Sequence, residues 1–88
     1  MAVEIDMMPR IKEIMAQNLT DIEKLTQAYV YLLEQHIYIA RKEQELQNAL
    51  KDKDAFMKMK IQGNTLEYVL SMFKDCLRLT TERSRRDG

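Results

Sequence analysis

The chain has very few of the residues that break helices or build tight turns. It contains one proline and two glycines among 88 residues, whereas sandwiches and barrels need a turn after every short strand. Charged residues make up 32% of the chain, a proportion typical of solvated helices. This composition predicts an all-α protein.

Cysteine and long apolar runs are also scarce. The single cysteine, Cys76, excludes an internal disulfide, as expected for a reducing compartment. No stretch approaches the roughly 20 apolar residues of a membrane-spanning helix. Glu4 and Asp6 stand where a secretory signal has a basic start and an apolar run. We therefore expect a cytoplasmic protein without a membrane span.

No set of residues in the sequence predicts catalysis, a cofactor or a metal site. Gly-rich phosphate loops, nucleophile elbows and zinc-protease motifs are missing. His36 has no second metal ligand at a suitable spacing, and we expect it to be a polar residue that fixes helix register. Asp52 and Asp54 lack the other acids of a calcium loop and indicate helix caps. Cys76 has apolar neighbours and is expected to pack against them.

The charges of the chain do not indicate nucleic acid. Lys and Arg number 14, as do Asp and Glu, so no overall field favours an anionic partner. Arg83, Arg85 and Arg86 lie close together near the end, but without the interleaved aromatic residues of single-strand binders. A regulatory or nucleic-acid-binding role for this basic tail is nevertheless one hypothesis for the function of the chain.

Apolar residues recur at alternating spacings of three and four in two long series, over residues 20–50 and 54–80. A helix places such residues along one side of its surface. A charged turn at 51–54 separates the series, and residues 81–88 lack apolar side chains, which predicts a disordered tail. Together these features predict an antiparallel, coiled-coil-like hairpin of two long amphipathic helices. The seam between the helices is expected to contain Ile22, Leu25, Tyr29, Leu32, Ile39, Leu46, Phe56, Met59, Leu66, Leu70, Phe73 and Leu77.

Residues 1–19 form an N-terminal segment, predicted to be a short helix or an extension. Thr20 and Glu23 have the spacing of a capping box, which favours a new helix start at Thr20. The three-four spacing nevertheless continues upstream, so one helix from about Pro9 is the alternative. Gly63 falls on the second series, and its missing side chain favours close approach of the first helix near Tyr29 or Tyr31. A kink or a break at Gly63 is the alternative there.

Each helix carries a second apolar stripe beside its seam. A two-helix pair buries one stripe per helix, so the second stripes need another cover. One alternative is that the N-terminal segment folds back over them, and another is that they pair with copies of this chain in a homo-oligomeric coiled coil. We favour a protein partner, with self-association when the chain is alone. The residues predicted to bind this partner are Leu33, Ile37, Ala40, Val69, Met72 and Cys76.

The turn and the second series resemble a known family. Asp52, Phe56, Met59, Leu66 and Glu67 follow the pattern of an acid at the turn, an aromatic residue, a bulky residue and then Leu-Glu. In these residues, and in the order of its elements over residues 20–80, the chain resembles the YscE-like family of small helical-hairpin co-chaperones of type III secretion needle subunits. It differs in its N-terminal stretch and in lacking a Gly pair at the turn.

The resemblance implies a non-enzymatic cytoplasmic co-chaperone. Such a protein would pair with a larger helical-repeat chaperone, and the pair would shield an aggregation-prone needle-type subunit before export. A homo-oligomeric structural or regulatory coiled coil remains the alternative.

Overall fold

The computed structural model describes the backbone of residues 4–87 and the side chains of residues 4–81. It contains three helices in this part of the chain: α1 (Met8–Ala16), α2 (Asp21–Ala49) and α3 (Lys53–Asp87). Residues 4–87 include no strand. The predicted all-α class is therefore confirmed.

The break between α1 and α2 lies where the capping box predicts it. The Glu23 amide donates to Thr20 Oγ1 at 3.2 Å, and the Thr20 amide donates to Glu23 Oε1 at 3.4 Å. These two bonds satisfy amides that have no partner inside the helix. Pro9 lies in the first turn of α1, where its missing N–H costs nothing. A single continuous helix from Pro9 is thus excluded.

The turn between α2 and α3 combines the end of one helix with the cap of the next. Lys51 adopts a left-handed conformation with φ 60°. Its amide donates to the Asn48 carbonyl at 3.1 Å, and the Asp52 amide donates to the Gln47 carbonyl at 3.0 Å. This is the Schellman pattern, which usually has glycine at the left-handed position. Asp52 then caps α3, since its Oδ1 accepts from the Ala55 amide at 3.1 Å.

Helices α2 and α3 pack against each other. Near the turn Arg41 binds Asn64 and Glu67, and farther from it the Tyr29 and Phe73 rings meet at 4.9 Å. Contacts in this order come from helices that run in opposite directions, an arrangement compatible with a hairpin. Within the described residues α1 packs on α2 and not on α3.

The molecule is a thin layer of helices, with principal extents of 55, 28 and 11 Å. A helix with its side chains is about 10 Å across, so this thickness corresponds to one layer. The buried apolar side chains are correspondingly few among the described residues, namely Ile14, Ala28, Leu33 and Ala40. The predicted tail also differs in the structure, because α3 continues to Asp87. Side chains from residue 82 onward, including the basic tail, lie outside the described residues.

Candidate partner-binding surface

Two residues predicted to bind a partner belong to the core of the chain itself. Leu33 is 7% exposed and Ala40 is 1% exposed, which corrects their assignment to a partner surface. Ile37 and Val69 are half-buried, whereas Met72 and Cys76 are exposed. The reason is geometric: a series with a seven-residue repeat drifts by about 20° per heptad on a straight helix. The packed side of α2 therefore passes to the neighbouring stripe that contains Leu33 and Ala40.

The predicted seam is incomplete at the end of the helix pair that lies far from the turn. Ile22 and Leu25 are 76% and 66% exposed, which corrects their assignment to the seam. The register set by Tyr29 and Phe73 places Ile22 across from Thr80, whose hydroxyl donates to the Cys76 carbonyl and adds little apolar surface. Tyr29 is partly exposed, and the remaining members are half-buried: Leu32, Ile39, Leu46, Phe56, Met59, Leu66, Leu70, Phe73 and Leu77.

The longest exposed apolar surface lies on the side of α3 that faces away from α2. Its members are spaced four, seven, four and seven residues apart. On a helix with 3.6 residues per turn they fall within about 60° of one another and extend about 33 Å. We call this set the outer face of α3: Met57, Ile61, Tyr68, Met72 and Leu79.

Each member of the outer face has about half of its surface in solvent. The exposed fractions are 47% for Met57, 59% for Ile61, 65% for Tyr68, 45% for Met72 and 56% for Leu79. Single exposed apolar residues are ordinary in proteins, but five of them aligned on one side of a helix make the outer face a candidate interaction site.

The series with three-four spacing does not predict most residues of the outer face. Met72 is shared between the predicted partner residues and the outer face, whereas Met57, Ile61 and Tyr68 are not among the residues predicted to bind. A period of 3.6, counted from Met57, is the signal that places them on one side of the helix.

A polar cluster fixes the register of α2 against α3. Arg41 Nη2 lies 2.9 Å from Asn64 Oδ1 and 3.0 Å from Glu67 Oε1, while its Nη1 donates to Gln44 Oε1 at 3.0 Å. A Cβ at Gly63 would lie 2.9 Å from the Arg41 Cζ and Nη1 atoms. The glycine thus makes room for the guanidinium group.

The group of α2 that lies against Gly63 therefore differs from the one expected. It involves the Arg41 side chain, not the helix backbone near Tyr29 or Tyr31. The alternative of a helix break at Gly63 is excluded, because α3 is continuous through this position.

Helix α1 covers part of α2 and leaves α3 open. Ile14 is 1% exposed, and it borders an open cleft of about 360 Å³ between the two helices. Residues of both helices line this cleft: Arg10, Ile14, Thr26, Gln27, Val30, Tyr31 and Glu34. Folding back of α1 therefore covers part of α2 and not α3.

The other candidate groups are scattered. His36 and Cys76 are both exposed. Across the described residues, no group of three or more His, Cys, Asp or Glu side chains is placed to hold a metal ion. In the same part of the chain, none of the helices combines the length and the apolar character needed to cross a bilayer.

Comparison of the chain with protein-family models, with curated proteins and with solved structures finds no match.

Proposed function

We propose that this protein is a non-enzymatic interaction module that docks on a partner protein through the outer face of α3. The observation that carries the proposal is the alignment of five exposed apolar side chains along one side of that helix. A face of this kind is covered when a second amphipathic element packs on it. Met57 and Met72 suit such a role, because their flexible side chains adapt to the shape of the partner.

The size of the outer face indicates that the partner contacts further residues. Full burial of a large apolar side chain contributes about 1.5 to 3 kcal/mol, so the exposed half of each member contributes about 1 kcal/mol. The outer face then contributes about 5 kcal/mol, while association costs about 4 kcal/mol or more. Additional apolar contact is needed for a stable complex.

The more specific role is that of a cytoplasmic co-chaperone for a type III secretion needle subunit. In this role the antiparallel, coiled-coil-like hairpin pairs with a larger helical-repeat chaperone, and the two together keep the needle-type subunit from polymerising. The support is the YscE-like pattern at Asp52, Phe56, Met59, Leu66 and Glu67, together with the uncovered outer face.

The test is co-expression of the full chain with a helical-repeat chaperone and a needle-type subunit from the same host. Affinity purification and light scattering should reveal a complex of defined mass. Ile61→Asp or Tyr68→Asp should each release the chain from the complex, because a carboxylate on the outer face would be desolvated there. Far-UV circular dichroism should show unchanged helicity, since both side chains are more than half exposed.

Gln62→Asp provides the matched control. Gln62 is exposed on α3 and lies outside the outer face, so its variant adds the same charge to the same helix. This variant should stay in the complex. The proposal is wrong if no complex forms, or if all three variants remain bound equally well.

A further inference from the structure

Positive charge borders the outer face of α3. One border of the outer face, reached by turning round the helix axis in one direction, carries four exposed cations: Lys53, Lys60, Lys74 and Arg78. Of these, Lys74 is the farthest from the outer face. Residue 67 occupies the same side and is a glutamate, but its carboxylate binds Arg41 of α2 at 3.0 Å. The opposite border contains Lys58, Thr65 and Cys76.

Among the residues whose side chains the structure describes, the acids near the outer face are fewer than these cations. Asp54 lies in the first turn of α3, where it complements the helix dipole. Asp75 lies between Met72 and Leu79 on the same side of the helix, and its Oδ1 is 3.8 Å from Arg78 Nη2. The chain as a whole has no net charge, with 14 cations and 14 acids. The positive character of this border is therefore a local feature.

A second copy of the chain is a poor occupant of the outer face for electrostatic reasons. In an antiparallel two-fold pair each border meets its own copy, so Lys60 would approach Lys74 and Arg78 of the second molecule. In a parallel two-fold pair the basic border would meet the opposite border, where Lys58 is the one charged residue between positions 55 and 81. Like charges beside an apolar seam select against such pairing.

We infer that the outer face of α3 binds an amphipathic helix of a different protein, one that carries Asp or Glu side chains along one border of its apolar stripe. This inference rests on the proposed function and adds the chemistry of the partner. The apolar stripe of the partner helix matches the outer face in length, about 22 residues or 33 Å. Its acids lie beside Lys53, Lys60 and Arg78.

The experiment uses the full chain and two synthetic helical peptides of about 22 residues. Both peptides have the same leucine stripe; one carries Glu along one border and the other carries Lys at the same positions. Fluorescence anisotropy should show that the Glu peptide binds about tenfold more tightly at low salt. Salt at about 0.5 M should remove most of this difference, because it screens exposed charges.

Two charge reversals identify which border of the outer face gives the preference for the Glu peptide. Lys60→Glu should weaken binding of the Glu peptide about tenfold, while Lys58→Glu, two residues away on the opposite border, should change it less than about threefold. Both lysines are exposed, so both variants should keep their helicity by circular dichroism. Equal affinity for the two peptides, or equal effects of the two reversals, would overturn the inference.

Sedimentation separates failure of the inference from failure of the proposed function. The wild-type chain should sediment as a monomer, or as an oligomer whose mass Tyr68→Asp leaves unchanged. A dimer that Tyr68→Asp does disperse would identify a second copy as the occupant and overturn the inference, while the outer face would remain an interaction surface. If neither peptide binds and no dimer forms, both the inference and the proposed function fail.

Discussion

Replacement of Lys51 by glycine should stabilise the protein. Lys51 has φ 60° and occupies the position of the Schellman turn at which glycine is the usual residue. A side chain with a Cβ costs about 1 to 2 kcal/mol in this conformation, because Cβ crowds the following carbonyl. Glycine removes this cost but loses more conformational entropy on folding, which offsets part of the gain. The net change expected for Lys51→Gly is about +1 kcal/mol in the free energy of unfolding.

This change is large enough to measure. A chain of this size has an unfolding free energy on the order of 4 to 13 kcal/mol, and 1 kcal/mol raises the Tm of a small domain by about 4 to 8 °C. Urea unfolding followed by far-UV circular dichroism, at one protein concentration, gives the comparison directly. The hydrogen bonds from the Lys51 and Asp52 amides do not involve the Lys51 side chain, so the turn should be retained.

Lys51→Ala is the control that isolates the backbone effect. It removes the same charge and keeps the Cβ, so its stability should stay close to that of the wild type. If Lys51→Gly proves no more stable than Lys51→Ala, the left-handed conformation does not limit stability, and the description of the turn is wrong.

Three further experiments test the fold. Leu33→Ala should lower the free energy of unfolding by about 2 to 4 kcal/mol, because Leu33 is 7% exposed. Met72→Ala, at a half-exposed position, should lower it by less than about 1 kcal/mol. The same urea titration measures both changes. Asp52→Ala should cost about 1 kcal/mol through loss of the cap to the Ala55 amide, whereas Asp52→Asn should retain most of the stability. A double-mutant cycle on Arg41 and Glu67 should give a salt-sensitive coupling of about 0.2 to 1 kcal/mol, since the two side chains are 32% and 53% exposed. A coupling that does not change with salt would contradict this exposed geometry.

The packing of the three helices explains why α3 is the candidate docking helix. Helix α1 covers part of α2 through Ile14 and does not reach α3. Helix α3 lies at one edge of the single layer, and among the described residues no helix packs on the side of α3 that faces away from α2. The outer face of α3 is therefore exposed in the single chain.

Features that depend on neighbouring residues were determined by the sequence. The capping box at Thr20 and Glu23, the cap at Asp52 and the helical spacing of apolar residues all act within one or two turns of helix. The all-α class and the break before α2 follow from them. Each of these signals is complete in a short stretch of chain, so no knowledge of the packing is required.

Features that depend on helix rotation were decided by the tertiary structure. The drift of about 20° per heptad accumulates along α2, and only the packing against α3 shows which stripe becomes buried. Leu33 and Ala40 entered the core in this way. Ile22 and Leu25 remained in solvent for a different reason, because they lie at the end of the helix pair far from the turn, where Thr80 lies across from Ile22 and adds little apolar surface. The position of the Arg41 guanidinium over Gly63 depends likewise on the register of the two helices. Local spacing specifies each helix, but the rotation of one helix against the other is set by the fit between their side chains.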